Sequence, residues 1–317
     1  MSLFELKAAY QSGKLAKQQY IDEMHRLHAA LFEYAAYLRD TDIAEITIIA
    51  QEVVMTTKVA GVRLCCDPAD KRTVPVEILN FGTYEQKELD MMGRLMGDDF
   101  TVWDVGANIG WYSINLAKAF PGSRILAFEP IPATYRQLQR NIELNQVRNV
   151  EALNFGFSNR AGTLTFYFYP ECSGNASVVN LTSNAMAQKL SCPVKTMDAF
   201  AATSGLKMDF IKCDVEGAEL FVFQGGTQAL ARHQPVIFAE MLRKWSAKFN
   251  YHPNQIIDLL VGIGYRCFVA EGSKLREFSA MDENTVETNF FFLHTARHAS
   301  QITALRVSEG RANPAGR

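Results

Sequence analysis

Apolar positions change their period along this chain, and each change marks a different kind of element. From Tyr20 the residues Tyr20, Met24, Leu27, Leu31, Tyr34 and Leu38 alternate steps of four and three, with Asp22, Glu23, Arg26, Glu33 and Arg39 between them. That spacing predicts a helix with one apolar seam. Two readings are open for it: a dimer arm that pairs two copies as a homodimer, or a helix laid on the domain surface. The shortness of the seam favours the second, because a coiled coil needs three or four heptads. Ile46 to Asp67 is rich in β-branched residues and broken at Ala60-Gly61, which predicts a hairpin. Val74 to Leu79 reads as a short strand, and Tyr84 to Met96 as a helix stopped by Gly97.

From Thr101 strands alternate with helices. Strands are expected up to Asp104, over Arg124 to Glu129, Asn149 to Asn154, Met208 to Asp214 and Pro235 to Glu240. Helices are expected up to Phe120, over Pro132 to Asn145, Glu216 to His233 and Pro253 to Ile263. Such a rhythm predicts an α/β fold with parallel strands joined by right-handed crossovers. Thr163 to Tyr169 alternates in period two and is expected as an inserted edge strand or hairpin, while Tyr265 to Ala270 and Asn289 to His294 close the chain as a final strand pair. The expected organisation is a helical arm (1–45), a hairpin-and-helix cap (46–97), a main α/β domain (98–297) and a frayed polar tail (298–317).

Composition narrows the possible partners. Of 317 residues, 48% are hydrophobic and 21% charged, which suits a globular chain with a sizeable core. A formal charge of -2 supplies no basic field for nucleic acid. No stretch of about 18 apolar residues suggests a membrane span. Cys65, Cys66, Cys172, Cys192, Cys213 and Cys267 form no C-x-x-C pair and sit in apolar surroundings, so they read as buried thiols of a reducing, cytoplasmic compartment.

The chemistry begins at Val102 to Ser113, VWDVGANIGWYS: a strand ending in Asp104, a glycine turn, then a helix from Trp111. In an open parallel sheet this turn lies at the carboxyl edge, where ligands bind. Gly106 and Gly110 permit positive φ and close approach. A dinucleotide site would require G-x-G-x-x-G, and the second and third glycines of that pattern are not in place. S-adenosylmethionine (SAM) has no phosphate to cradle. Asp104 would suit its amino end directly or through water, and the backbone of Gly106, Ala107, Asn108 and Gly110 would line the methionine portion. The next strand ends in Phe-Glu-Pro, and Glu129 stands 25 positions after Asp104 (129 minus 104). A carboxylate there would accept both ribose hydroxyls, a device NAD enzymes share about 20 residues on. The loop separates the two cofactors; Glu129 does not.

DVGANIG (Asp104 to Gly110), FEP (Phe128 to Pro130), KCDVEGAE (Lys212 to Glu219) and FGTYEQKE (Phe81 to Glu88) together resemble the FkbM-type SAM-dependent methyltransferases. The resemblance covers roughly Gly82 to Leu293 and leaves the first 45 or so residues out. It implies a class I, Rossmann-like methyltransferase sheet of seven strands with an antiparallel last strand. It also implies, commonly, O-methylation of a hydroxyl on a sugar, glycan or secondary metabolite, so a small-molecule or glycan acceptor is expected.

An alcohol is a weak nucleophile, so methyl transfer to it calls for a general base or a metal. Topology selects Lys212, Asp214 and Glu216 after the fourth strand, Glu240 after the fifth, His252 in the following loop and Asn289 at the start of the last strand, and it disfavours His294. Asp214, Glu216 and Glu240 would serve as base, or together as oxygen ligands of Mg²⁺; as helix N-terminal acids they would need no function. Lys212 inside an apolar strand calls for a partner, Asp214 or Glu216. Tyr84 and Glu85 would close over the methionine end, and Gly156 and Ser158 would flank adenine by topology. N-methylation, an NAD-dependent oxidoreductase and a non-catalytic scaffold are the alternatives.

Overall fold

The computed structural model describes residues 1–181 and 187–307. Helices α1 (Leu3–Gln11) and α2 (Lys17–Tyr37) form an N-terminal hairpin, and a 3-10 turn, Leu38–Asp40, leads out of it. Strands β1 (Ile43–Ile49), β2 (Glu52–Thr57) and β3 (Arg63–Cys66) follow as an antiparallel sheet in the order β1-β2-β3. The expected hairpin is thus a three-stranded meander. It turns first at Ala50-Gln51, where both residues have positive φ, and again at the anticipated Ala60-Gly61.

Helices α3 (Val74–Phe81) and α4 (Gln86–Leu95) complete this region. The strand expected over Val74 to Leu79 is a helix. Pro75 sits in its first turn, where a missing N–H costs nothing, and Val74, Ile78 and Leu79 fall on one buried face. A short apolar run does not by itself separate the two periods.

The main domain holds β4 (Thr101–Val105), α5 (Trp111–Ala119), β5 (Arg124–Phe128), α6 (Pro132–Asn145) and β6 (Val150–Leu153). Then come β7 (Gly156–Phe157), β8 (Gly162–Phe168), β9 (Gln188–Lys195), α7 (Met197–Ser204), β10 (Phe210–Cys213), α8 (Glu219–Gln224) and α9 (Thr227–His233). It ends with β11 (Val236–Glu240), α10 (Arg243–Ser246), α11 (Asn254–Val261), β12 (Tyr265–Glu271), β13 (Lys274–Phe278), β14 (Asn289–His294) and α12 (Ala299–Leu305).

The central sheet runs β13-β12-β14-β11-β10-β4-β5-β6. Strands β6, β5, β4, β10 and β11 are mutually parallel, and β14 lies antiparallel between β11 and β12. This is the class I Rossmann-like methyltransferase sheet, with β13 added at one edge as an eighth strand. Strands buried on both faces read as continuous apolar runs: Trp103, Phe128, Ile211, Phe223 and Phe290 fill one side, and Val102, Ile114, Phe238 and Phe291 the other.

Three further differences have local causes. The helix expected over Glu216 to His233 breaks at Gly225-Gly226, because a Cβ on Gly225 would stand 2.2 Å from the Ser158 carbonyl and one on Gly226 would stand 2.3 Å from Met197 Cε. Thr163 to Tyr169 supplies β8 of a separate sheet, β7-β9-β8, whose β9 carries too many polar residues to announce itself. The tail expected to fray from 298 begins as α12, with Ile302 buried; residues 308–317 of that expectation lie outside the described residues.

Candidate functional site

The carboxyl ends of β4, β5, β10 and β11 open onto two adjoining cavities. The smaller, about 60 Å³, is lined by Gly106, Asn108, Glu129, Ile131, Phe166 and Val215 among others. The larger, about 310 Å³, is lined by Tyr84, Glu85, Asn108, Asp214, Glu216 and Glu240, with Arg72, Lys244 and Trp245 also on its wall. Asn108, Gly174, Asp214 and Glu216 line both, so the two are continuous.

The glycine turn is built around one close approach. Gly106 has φ +76°, and a Cβ there would lie 1.9 Å from the backbone oxygen of Asp214, so the turn after β4 and the exit of β10 touch through bare backbone. The N–H groups of Gly106 and Ala107 both donate to the Phe128 carbonyl at 3.0 Å, which ties the turn to the end of β5. Gly110, φ +95°, starts α5 where a Cβ would strike Leu138.

Beneath the turn lies a buried ion pair. Lys212 Nζ donates to the Gly106 carbonyl at 2.6 Å and stands 3.4 Å from Asp104 Oδ1 and 3.7 Å from Asp214 Oδ2. Ser113 Oγ donates to Asp104 Oδ2 at 2.6 Å. Burial alone would favour neutral lysine, but Asp104 and Asp214 outweigh it and raise its pKa. Neither Asp104 nor Lys212 lines the cavities. They hold the turn from below, and the partner of Lys212 missed in the sequence is Asp104.

Glu129 faces the smaller cavity. Its Oε2 accepts the Asn108 N–H at 3.0 Å and its Oε1 accepts the Ile131 N–H at 2.8 Å, leaving each oxygen a further lone pair. Burial pushes its pKa up to about 7, against the pull of those two N–H groups. Glu85 lies across the larger cavity in a left-handed conformation, φ +46°, and accepts the Tyr112 hydroxyl at 2.5 Å. Burial raises it to about 7 as well, and the Tyr84 hydroxyl is raised by burial and by Glu85.

Asp214, Glu216 and Glu240 each offer one carboxylate oxygen within 4.8 Å of the others. The pKa values of Glu216 and Glu240 are both raised, first by burial and then by repulsion from Asp214. The turn that brings the first two together depends on Glu219, whose Oε1 accepts N–H groups from Val215 (3.1 Å) and Gly217 (3.0 Å), while Tyr251 donates to the Gly217 carbonyl at 2.9 Å. Gly217 has φ +93°, and a Cβ would meet Trp245 and Phe249.

Over the cavities runs the segment 171–177. Asp70 fixes it by accepting the Ser173 N–H at 2.9 Å, and Ser177 Oγ donates to the Glu216 carbonyl at 2.9 Å.

Sequence reasoning thus brought eight residues to the cavities: Tyr84, Glu85, Gly106, Asn108, Glu129, Asp214, Glu216 and Glu240. Ala107 and Gly110 shape the turn without lining either cavity. Gly156 pairs with Val194 in β7 and the Ser158 N–H donates to Lys195 O, so both build the second sheet and line neither cavity. His252 is exposed, accepts the Asn254 N–H at 3.3 Å and is likewise off the cavity wall. Asn289 pairs with Glu240 across the sheet, at the edge expected, and donates to Glu88. Ile131, Phe166, Val215, Trp245 and the Asp70 clamp were not legible as cavity residues: Ile131, Val215 and Asp70 come from loops, Phe166 from β8 and Trp245 from α10, and tertiary packing brings them to the cavities.

The comparisons with known proteins agree with this geometry. A family model described as the methyltransferase FkbM domain matches residues 104–267. Methyltransferase 1 of Beauveria bassiana is 34% identical over 146 residues, covering 40% of this chain and 59% of that protein. Methyltransferase sdnD of Sordaria araneosa is 34% identical over 163 residues, 42% and 62%. Hexuronic acid methyltransferase AglP of Haloferax volcanii is 31% identical over 147 residues, 46% and 58%. The chain therefore spans about three fifths of the length of these relatives. With the Gly106 turn, Glu129 and the Asp214 loop all inside the matched segment, the chain belongs to the FkbM methyltransferase domain family.

Proposed function

We propose that the protein is a SAM-dependent methyltransferase acting on a hydroxyl of a sugar, glycan or secondary metabolite. The observation that carries this reading is the continuous pair of cavities at the carboxyl edge of the sheet, with Glu129 at one end and the carboxylates Asp214, Glu216 and Glu240 at the other. The residues fit the cofactor. Glu129 retains lone pairs for two ribose hydroxyls, Ile131, Phe166 and Val215 supply apolar surface for a base, and the buried Asn108 Oδ1, at the junction of the cavities, has no protein hydrogen-bond partner. Glu85 and Asp214 supply negative charge for an ammonium. Bound there, SAM supplies an electrophilic methyl group on a sulfonium.

The remaining volume of the larger cavity is the acceptor's. Tyr84 and Trp245 offer aromatic faces to a ring, and Lys244 and Arg72 offer cations at its wall. An acceptor oxygen gives up its proton as it gains the methyl group, and Asp214, Glu216 and Glu240 are the carboxylates facing that space. The name of the archaeal relative, a hexuronic acid methyltransferase, supports a sugar-like acceptor. Assayed by release of S-adenosylhomocysteine over a panel of sugars and secondary metabolites, Asp214→Asn and Glu240→Gln should each lower kcat by about 10²–10⁴. Unchanged turnover in both would remove the carboxylates from the chemistry. The triad's oxygens also suit a Mg²⁺ ligand set; activity unaffected by EDTA would exclude that version.

A further inference from the structure

We propose that the groove between the start of α10 and the loop 281–288 is a second acceptor subsite, holding the ring next to the one that is methylated, so that the acceptor is a glycan chain of at least two rings. This rests on the function proposed above and narrows it. The groove encloses about 190 Å³, against about 310 Å³ for the larger cavity, and the two adjoin at Leu242 and Lys244, which line both. Its place along the sheet edge puts it on the acceptor's side. From Glu129 beyond β5 the edge runs past β4 to Asp214 beyond β10 and Glu240 at the end of β11, and the groove follows between β11 and the start of β14. The step beyond the carboxylates is about one strand spacing, ~4.8 Å, comparable with the repeat along a sugar chain, and it leads away from the Glu129 end.

The outer wall of the groove is fixed in place. The loop returns from the added strand β13 to β14, and its ends and middle are all tied to neighbouring elements. Asn254 accepts the Met281 N–H at 2.7 Å and donates to the Met281 carbonyl at 3.0 Å. Arg243 donates to the carbonyls of Glu283 (3.1 Å) and Thr285 (3.2 Å), and the Met241 N–H donates to the Thr288 carbonyl at 2.7 Å. Val286 sits between these ties and is 85% exposed. A single apolar side chain in water needs no explanation. One that a tied loop holds against a cavity is part of a preorganised surface, on which a ligand loses less freedom when it binds.

The occupant follows from the lining. Arg243 is engaged by the loop carbonyls and Glu287 by Arg276. What remains is an apolar surface from Met241, Leu242, Met281 and Val286, with the Thr288 hydroxyl and the Lys244 ammonium beside it. Lys244 Nζ stands 4.5 Å from the centre of the Trp245 ring, where the two cavities adjoin. A pyranose ring presents the matching mixture, a C–H face rimmed by hydroxyls. An acyl tail would set the Thr288 hydroxyl and the Lys244 ammonium against hydrocarbon, at a cost in desolvation. A lone ring in the larger cavity would leave the apolar surface of the groove in water. Contacts made in the groove, away from the reacting oxygen, help to hold that oxygen in line with the methyl group, and a truncated acceptor forgoes them.

Initial rates of S-adenosylhomocysteine release by the full chain, measured over two matched ladders of acceptors, test the proposal. One ladder runs from glucose to cellotriose and the other from galacturonic acid to trigalacturonic acid. In at least one of them kcat/KM should rise about 10-fold or more from one ring to two, because the second ring adds binding energy that orients the first. Val286→Glu sets a charge against the apolar face, and Thr288→Phe fills the groove. Each should bring the two-ring to one-ring ratio down to within about 2-fold, since the contacts that separate the two acceptors are then gone. SAM titration and thermal melts of the same samples show that each variant is folded. Equal kcat/KM at one and two rings, a ratio that survives both variants, or transfer to neither ladder by a chain that binds SAM would each overturn the subsite. A folded chain that binds no SAM would instead contradict the methyltransferase reading, and remove the subsite with it.

Discussion

Removing the Lys212 ammonium perturbs one buried group and strands two others. In Lys212→Met the side-chain volume is nearly kept, but Asp104, fully buried, loses the cation 3.4 Å away, and the Gly106 carbonyl loses its donor at 2.6 Å. Breaking one side of a buried pair costs about 3–5 kcal/mol, and an orphaned carbonyl accounts for about 1–3 kcal/mol. Adding Asp104→Asn removes the stranded charge while keeping an acceptor for Ser113 Oγ, so the double variant should be less destabilised than the sum of the singles by about 1–3 kcal/mol. Urea denaturation followed by circular dichroism gives the three free energies. SAM titration of the folded variants reports on the turn: Lys212→Met should weaken binding, since Gly106 is then held only from the β5 side. Losses that add to within about 0.5 kcal/mol would refute the claim that Lys212 and Asp104 act as one unit.

Other outcomes follow from the same geometry. Gly106→Ala places a Cβ 1.9 Å from the Asp214 carbonyl at φ +76°, so it should cost at least ~2 kcal/mol by thermal melt and abolish SAM binding even where the fold survives. Glu129 must be ionised to accept two hydroxyls, and with its pKa at about 7 SAM affinity should climb through pH 6–8; a flat profile would argue against its role. The same shift acts on stability with the opposite sign. Between the ordinary value of 4.5 and about 7 the folded chain binds the proton more tightly than the unfolded one, so this group's contribution falls as pH rises, by ~3 kcal/mol in all. Asp70→Ala frees the Ser173 and Arg72 N–H groups, and should raise the KM for SAM several-fold and speed proteolysis near residues 171–177 while leaving the melting temperature within a few degrees.

What was legible in the sequence were the elements that packing and chemistry specify locally. The alternation from Thr101 gave the parallel sheet because strands buried on both faces must be continuously apolar and their crossovers helical. Asp214, Glu216 and Glu240 were legible because strand exits of a parallel sheet share one edge. Long-range closure was not legible. Nothing near Asp104 announces that Lys212, more than a hundred residues along the chain but on the neighbouring strand, will neutralise it, and nothing near Asp70 announces Ser173. Gly156 and Ser158 were placed by topology alone, and the chain instead uses them in β7 and just after it, where the Ser158 carbonyl crowds Gly225 and splits the helix after the Asp214 loop. His252 was nominated for its side chain's chemistry, and the loop it caps points it to solvent.

Isothermal titration of the folded protein with SAM and with NADH tests the central claim most directly. The account predicts one SAM site per chain, lost in Glu129→Ala and absent for NADH; a folded chain that binds no SAM, or that binds NADH in its place, would contradict it.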